Sequence, residues 1–139
     1  MSRTMNAQRK NCITILLCIF ASPMTALAGN AEITDVVVSS GANGYRFDVT
    51  IGHADTGWDH YADGWEVIAA DGKVLGKRVL MHPHVDEQPF TRSLGNVVIP
   101  AGVDEVVIRA HTRVAGYGPM TVAVPLTQSV QTAQYDIVR

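Results

Sequence analysis

Apolar and polar residues alternate along several short stretches of the chain, which is the pattern of half-buried β-strands. The clearest alternation runs through residues 45–53, where every second residue is apolar and His53 falls on the apolar face. A Val-rich stretch, residues 32–39, precedes it, and the segment from Gly41 to Gly44 joins the two. A short Gly-containing connection of this kind is typical of hairpins. We therefore predict two antiparallel strands here.

The strongest hairpin signal is the Asp71-Gly72 pair, which lies between two further strand-like stretches, residues 64–70 and 73–80. Asp-Gly favours a turn with a two-residue loop. Counting outward from that loop places Glu66 opposite Lys77, and the facing opposite charges support this register. The pattern thus predicts a second hairpin with a defined pairing of its strands.

Three more strand-like stretches follow in the C-terminal half, and turn signals containing Gly and Pro separate them. In the middle one, Val106, Ile108 and Ala110 share one face. The chain therefore has about seven short strands and no convincing helix, which predicts an all-β fold, a single antiparallel β-sandwich. The three predicted strands cover residues 90–99, 105–113 and 120–126.

Trp65 stands at the start of a central strand of this pattern. In that position it resembles the core tryptophan of immunoglobulin-like and fibronectin-III-like domains. The resemblance covers most of the chain after residue 28, although the paired cysteines of antibody domains are absent. It implies a fold and no particular activity, since sandwiches host many unrelated functions.

The first 28 residues have the composition of a cleavable export signal. Three basic residues precede an apolar run that begins at Cys12, and Ala26 and Ala28 supply the small residues that a signal peptidase reads. The run is shorter than the about 20 residues of a membrane-spanning helix, so no transmembrane anchor is expected. Cys18 lacks the small neighbours expected around a lipidated cysteine. We predict a signal peptide (1–28), a sandwich domain (29–126) and a polar C-terminal tail (127–139), and a periplasmic or secreted protein.

Removal of the signal changes the chemistry of the chain. Both cysteines leave with it, so the remaining chain has no disulfide, thiol nucleophile or thiolate ligand. Three of the 11 Lys and Arg leave as well, so 8 face 13 Asp and Glu, a formal charge of −5. An acidic domain is a poor candidate for binding nucleic acid.

The five histidines are the residues best suited to chemistry, and all of them lie after residue 28. His82 and His84 flank Pro83, which favours an extended backbone in which both side chains point the same way. Without cysteine, the ion that such a pair would bind is copper or zinc held by histidine, and Met81 or Met120 would add a soft ligand for Cu(I).

Extending the Asp-Gly hairpin brings His60 to the same end of the sandwich as His82 and His84, and His53 leaves its strand towards that end. Asp59, beside His60, is a candidate to orient a metal-bound histidine. His111 lies on the opposite face of its strand from Val106, Ile108 and Ala110, and we include it among the predicted ligands. The predicted metal ligands are His82, His84, His60, His53, Met81 and His111.

Two hypotheses follow for the function. The first is a periplasmic, non-enzymatic β-sandwich that binds a copper or zinc ion through its histidines. The second is a metal-free accessory domain that contacts an envelope protein, a peptide or a glycan through aromatic residues near its turns. No enzyme motif is present, so catalysis would require a histidine-bound metal centre.

Overall fold

The structure is a computed structural model that describes residues 29–126 and 132–136. The predicted signal peptide lies outside the described residues. Within them the chain forms eight strands and no helix, hence no helix that could cross a membrane. The strands are β1 (Glu32–Gly41), β2 (Gly44–Gly52), β3 (Ala62–Ala69), β4 (Val74–Val79), β5 (Phe90–Val97), β6 (Glu105–Thr112), β7 (Gly116–Pro125) and β8 (Thr132–Asp136).

The strands form two four-stranded sheets with antiparallel pairing throughout. Sheet I has the order β5-β2-β1-β8, and sheet II has the order β4-β3-β6-β7. The predicted all-β sandwich is confirmed. In immunoglobulin-like sandwiches the first, second and fifth strands share one sheet, and the third, sixth and seventh share the other. The observed grouping is consistent with that resemblance, with β4 placed in sheet II.

The eighth strand comes from the segment predicted to be a polar tail. β8 pairs with β1 from Asp35 opposite Asp136 to Ser39 opposite Thr132. The predicted sandwich of about seven strands is confirmed, and β8 adds a short strand to it. The segment has too few residues and too little alternation to stand out as a strand in the sequence, and its pairing depends on β1, which lies about 100 residues away in the chain.

The core lies between the two sheets and is built from the alternating positions that the sequence predicted. On β6, Val106, Ile108 and Ala110 are all buried, as expected. On β2 the buried positions are Phe47 and every second residue after it. Burial of these aliphatic and aromatic side chains is the main force that holds the sheets together.

Trp65 of β3 is completely buried in the centre of this core. Its position on the third strand is that of the core tryptophan in immunoglobulin-like domains. Gly76 of β4 lies where the two sheets come close to each other. A Cβ at this position would meet the side chain of Leu94 at 2.9 Å. The two sheets thus approach each other too closely at this point for a side chain on β4.

The β3–β4 hairpin has the predicted register but a different turn. Glu66 pairs with Lys77 as expected, and the lysine Nζ lies 3.5 Å from the carboxylate. At the turn, Ala69 bonds to Lys73 and encloses a three-residue loop instead of two, with Gly72 at φ +86°. A register shift next to Ile68 restores the predicted pairing farther along. A three-residue loop with a left-handed glycine is a common alternative for Asp-Gly.

We expect Gly44→Ala to destabilise the protein more than Gly72→Ala does. Both glycines have positive φ, +123° and +86°, where an L-residue is strained by about 1–2 kcal/mol. A Cβ at Gly44 would in addition lie 2.6 Å from the carbonyl oxygen of Val97, whereas at Gly72 it would meet nothing within 4 Å. Urea unfolding should show a difference of at least about 1 kcal/mol between the variants. Equal losses would contradict this account of the β2–β5 contact.

Candidate functional site

Two connections between strands meet at one end of the sandwich. The first, residues 53–61, links β2 to β3 and is folded back on itself by backbone hydrogen bonds between Thr56 and His60 (2.9 Å) and between His60 and Gly57 (3.1 Å). The second, residues 80–89, links β4 to β5. Together they carry four of the five histidines, His53, His60, His82 and His84, and we call this region the histidine end.

Asp55 holds the histidine end together. Its side chain is completely buried and accepts three hydrogen bonds from three separate segments. The donors are Nδ1 of His53 (2.5 Å), the backbone N–H of Ala62 (3.0 Å) and the backbone N–H of His84 (2.7 Å). A buried carboxylate is stable only when such donors replace its lost water. Asp55 therefore fixes the positions of β2, β3 and the 80–89 connection relative to one another.

His53 is buried, as its place on the apolar face of β2 predicted. Because a carboxylate only accepts hydrogen bonds, the Nδ1 facing Asp55 carries the proton, and Nε2 of a neutral His53 bears a free lone pair. This Nε2 is buried and has no hydrogen-bond partner among the described residues. The backbone N–H of His53 donates to Oε1 of Gln88 at 2.9 Å. A carboxylate on one ring nitrogen and a free second nitrogen is the arrangement that orients metal-binding histidines.

His60 is the nearest histidine to His53. Their ring centres are 4.9 Å apart and the ring planes are inclined by 54°. Two imidazoles that share one tetrahedral ion at about 2.0–2.1 Å have ring centres about 5 Å apart, so the spacing suits two ligands of one ion. Nδ1 of His60 lies 3.4 Å from Oγ1 of Thr56, which leaves its Nε2 free for another partner.

His82 and His84 lie side by side, as their spacing around Pro83 predicted. Their ring centres are 4.6 Å apart, and the ring of His84 is also stacked on Phe90 at 3.9 Å. His82 is exposed, whereas His84 is buried with both ring nitrogens lacking a partner in the described ranges. Gln88 secures this segment by donating to the carbonyl oxygen of His84 at 2.9 Å.

The surroundings of His84 keep its ring neutral. Burial lowers the pKa of His84, the positive charges of Arg92 and His82 lower it further, and the smaller opposing effects of Glu87 and Asp55 do not offset them. Arg92 is itself paired with Glu87, at 2.9 Å. A neutral imidazole is the form that binds a metal ion or accepts a hydrogen bond.

The remaining two predicted ligands are placed differently. Met81 is 74% exposed beside His82. His111 points from the outer face of sheet II, where Nδ1 donates to Oδ1 of Asp63 at 2.5 Å. Within residues 29–126 and 132–136, no group of three or more His, Asp or Glu side chains stands ready to hold a metal ion. The structure thus gathers the four histidines as two pairs next to a shared Asp55.

The sequence did not single out Asp55. Asp59 was the expected orienting residue, but it is exposed and lies in the tip of the connection. The two-residue spacing of His53 and Asp55 was the available signal, because residues so spaced on an extended chain project to the same side. The sequence did not show the importance of this spacing, because two of the three donors to Asp55 are backbone groups and residue types do not reveal backbone contacts. The described fold is an antiparallel β-sandwich, consistent with the immunoglobulin-like resemblance, and one buried carboxylate organises its histidine-lined end.

The chain is similar to a protein of Halomicrobium mukohataei described as a “Putative lipoprotein”, with 41% identity over 95 residues. The aligned part is 68% of this chain and 46% of the relative, so the chain spans about half the length of the relative it matches. No protein-family model matches the chain. No solved structure matches it either.

We expect Asp55→Asn to destabilise the protein by about 2–4 kcal/mol, because an amide cannot accept all three hydrogen bonds and leaves buried donors unpaired. Asp59→Asn removes the same charge from an exposed position in the same connection and should change stability by less than about 0.5 kcal/mol. Urea unfolding measures both. Amide hydrogen exchange should also accelerate at Ala62 and His84 in Asp55→Asn alone, and unchanged exchange there would argue against the three-way contact.

Proposed function

We propose that this chain is an exported β-sandwich protein associated with the cell envelope. The observation that carries the proposal is the 41% identity over 95 residues with the protein described as a “Putative lipoprotein”. The composition of residues 1–28 supports it independently, since a basic start, an apolar run and small residues before Gly29 are typical of export signals.

Expression of the full chain with a C-terminal tag in a bacterial host tests the proposal. The protein should be found outside the cytoplasm, shortened, with an N-terminal sequence that begins at Gly29. A variant with Leu16→Arg and Leu17→Arg interrupts the apolar run and should stay in the cytoplasm at full length. Cys18→Ser should behave like the unchanged protein, and release from membranes by this substitution would show lipid attachment at Cys18. Cytoplasmic, full-length protein would overturn the export proposal.

Within that role, we propose that the histidine end binds a copper or zinc ion. His53 supports this most directly, since Asp55 fixes its tautomer and leaves a buried, unpartnered Nε2 close to His60. Unpartnered buried nitrogens are rare in proteins and call for a ligand or a bound water. The described residues offer two imidazoles at a time, so water or a movement of His82 and His84 would complete the coordination.

The metal proposal is tested by titrating the mature protein with Zn(II), Cu(II) and Cu(I). We expect one ion per chain, and a rise in Kd of at least about tenfold for His60→Ala, a variant that leaves the core intact. The double variant His82→Ala/His84→Ala tests the second pair in the same way. His111→Ala, on the outer face of sheet II, is the matched control and should bind normally. Equally weak binding by the unchanged protein and all of its variants would contradict the metal proposal.

The second candidate is a metal-free interaction domain, and the apolar surface around the same end favours it. Trp58 is 65% exposed and packs edge-on against Tyr61 with ring centres 6.0 Å apart. Met81 and Val85 are exposed in the neighbouring connection. Exposed aromatic and Met side chains are enriched in protein interfaces. If the titration shows no metal binding, we expect this surface to carry the function of the histidine end.

A further inference from the structure

A glycine creates a small cavity on the outer face of sheet II. Gly64 of β3 pairs with Val79 on one side and with His111 on the other. Since glycine has no side chain, the space between these two residues is open. It forms a cavity of about 170 Å³, whose lining includes Asp63, Lys77 and Tyr117 as well as these residues. This volume is smaller than the about 300–1,000 Å³ of sites for drug-sized ligands, so it suits a single ring.

Two of the lining residues, Lys77 and Tyr117, belong to a network around the buried Glu66. Its carboxylate accepts hydrogen bonds from the hydroxyl of Tyr117 and from Arg109 (2.9 Å), and it pairs with Lys77. Burial raises the pKa of Glu66, but these partners outweigh burial and hold it below its ordinary value, so the group is ionised. The guanidinium of Arg109 also lies 4.0 Å from the ring centre of Tyr117. The network holds Tyr117 and Lys77 in place at the cavity.

The lining residues also present unused hydrogen-bonding atoms. Nδ1 of His111 donates to Asp63, which leaves Nε2 without a partner among the described residues and able to accept a hydrogen bond in the neutral form of the ring. The second carboxylate oxygen of Asp63 has no hydrogen bond from the described residues, and Lys77 is 55% exposed with donors to spare beyond its pairing with Glu66. The ring of Tyr117 meets His111 edge-on at 4.7 Å, and Val79 adds an exposed apolar surface.

The charges around the cavity select against a charged ligand. Asp63 and Glu66 contribute two negative charges, and Lys77 and Arg109 contribute two positive charges. Each carboxylate already faces a histidine or a cation, and both cations face Glu66. The four charges sum to zero, and both cations are held by Glu66, so the cavity offers a charged ligand no net attraction.

We propose that this cavity binds a neutral, polyhydroxylated ring, the terminal sugar unit of a glycan. Its hydroxyl groups would donate to Nε2 of His111 and to Asp63, and would accept from Lys77. Its apolar C–H face would lie against Val79 and Tyr117. A cavity with apolar walls and a few well-placed polar atoms is the general form of a small-ligand site. The site is separate from the histidine end and does not depend on metal binding there.

The proposal is tested with the methyl glycosides of glucose, galactose and N-acetylglucosamine, added to the isotope-labelled mature protein. At least one should bind with a Kd of about 1 mM, as expected for a ligand of this size, and should shift NMR signals of Gly64, His111 and Tyr117. His111→Ala and Asp63→Asn should each raise this Kd about tenfold, the loss of one good hydrogen bond. His82→Ala, at the histidine end, is the control and should not change it.

Two variants of the cavity wall separate the loss of a hydrogen bond from a change in the fold, and the NMR spectrum of each reports whether it remains folded. Gly64→Ala is unsuitable, since a Cβ there would lie 2.9 Å from the carbonyl oxygen of Arg78. The absence of saturable shifts with all three glycosides up to about 100 mM would overturn the proposal. Shifts confined to other surfaces, or tighter binding of acetate or methylammonium than of any glycoside, would overturn it as well.

Discussion

The buried carboxylate of Asp55 is the interaction on which the histidine end depends. Taking a carboxylate out of water is costly, and here three N–H donors from different segments offset that cost. One of the donors selects the tautomer of His53, and another places the backbone of His84. Asp55 therefore contributes most to the arrangement of the histidines, and Gln88 adds a second link between the two connections.

The sequence predicted the fold well because local rules decide most of it. The pattern located β1 to β7, although it began the seventh strand at residue 120 where the structure begins it at Gly116. Opposite charges supported the pairing of Glu66 with Lys77 that the structure has. It missed the loop at Gly72 by one residue, because a left-handed glycine allows a three-residue turn as readily as a two-residue one. It missed β8 because that strand is defined by its partner and hardly by its own residues.

The candidate site was predicted only in part, for a different physical reason. The neighbours His82 and His84 were foreseen because their spacing is local. The roles of Asp55 and of Gly64 depend on backbone groups and on partners 15 or more positions away, such as Val79 for Gly64 and His84 for Asp55, which residue types do not encode. The sequence does not reveal the cavity on sheet II for the same reason, because the cavity lies where Gly64 has no side chain between its partners on β4 and β6.

The place of β8 has a consequence for the integrity of the whole sandwich. By pairing with β1, it replaces a ten-residue edge strand with a five-residue one, and short edge strands expose fewer unpaired backbone groups. Open edges are templates for strand addition between molecules, and so for domain swapping and aggregation. The C-terminal strand β8 thus limits strand addition at this edge of sheet I. A shortened or fused C-terminus would affect the solubility and association state of the protein before it affected either candidate site.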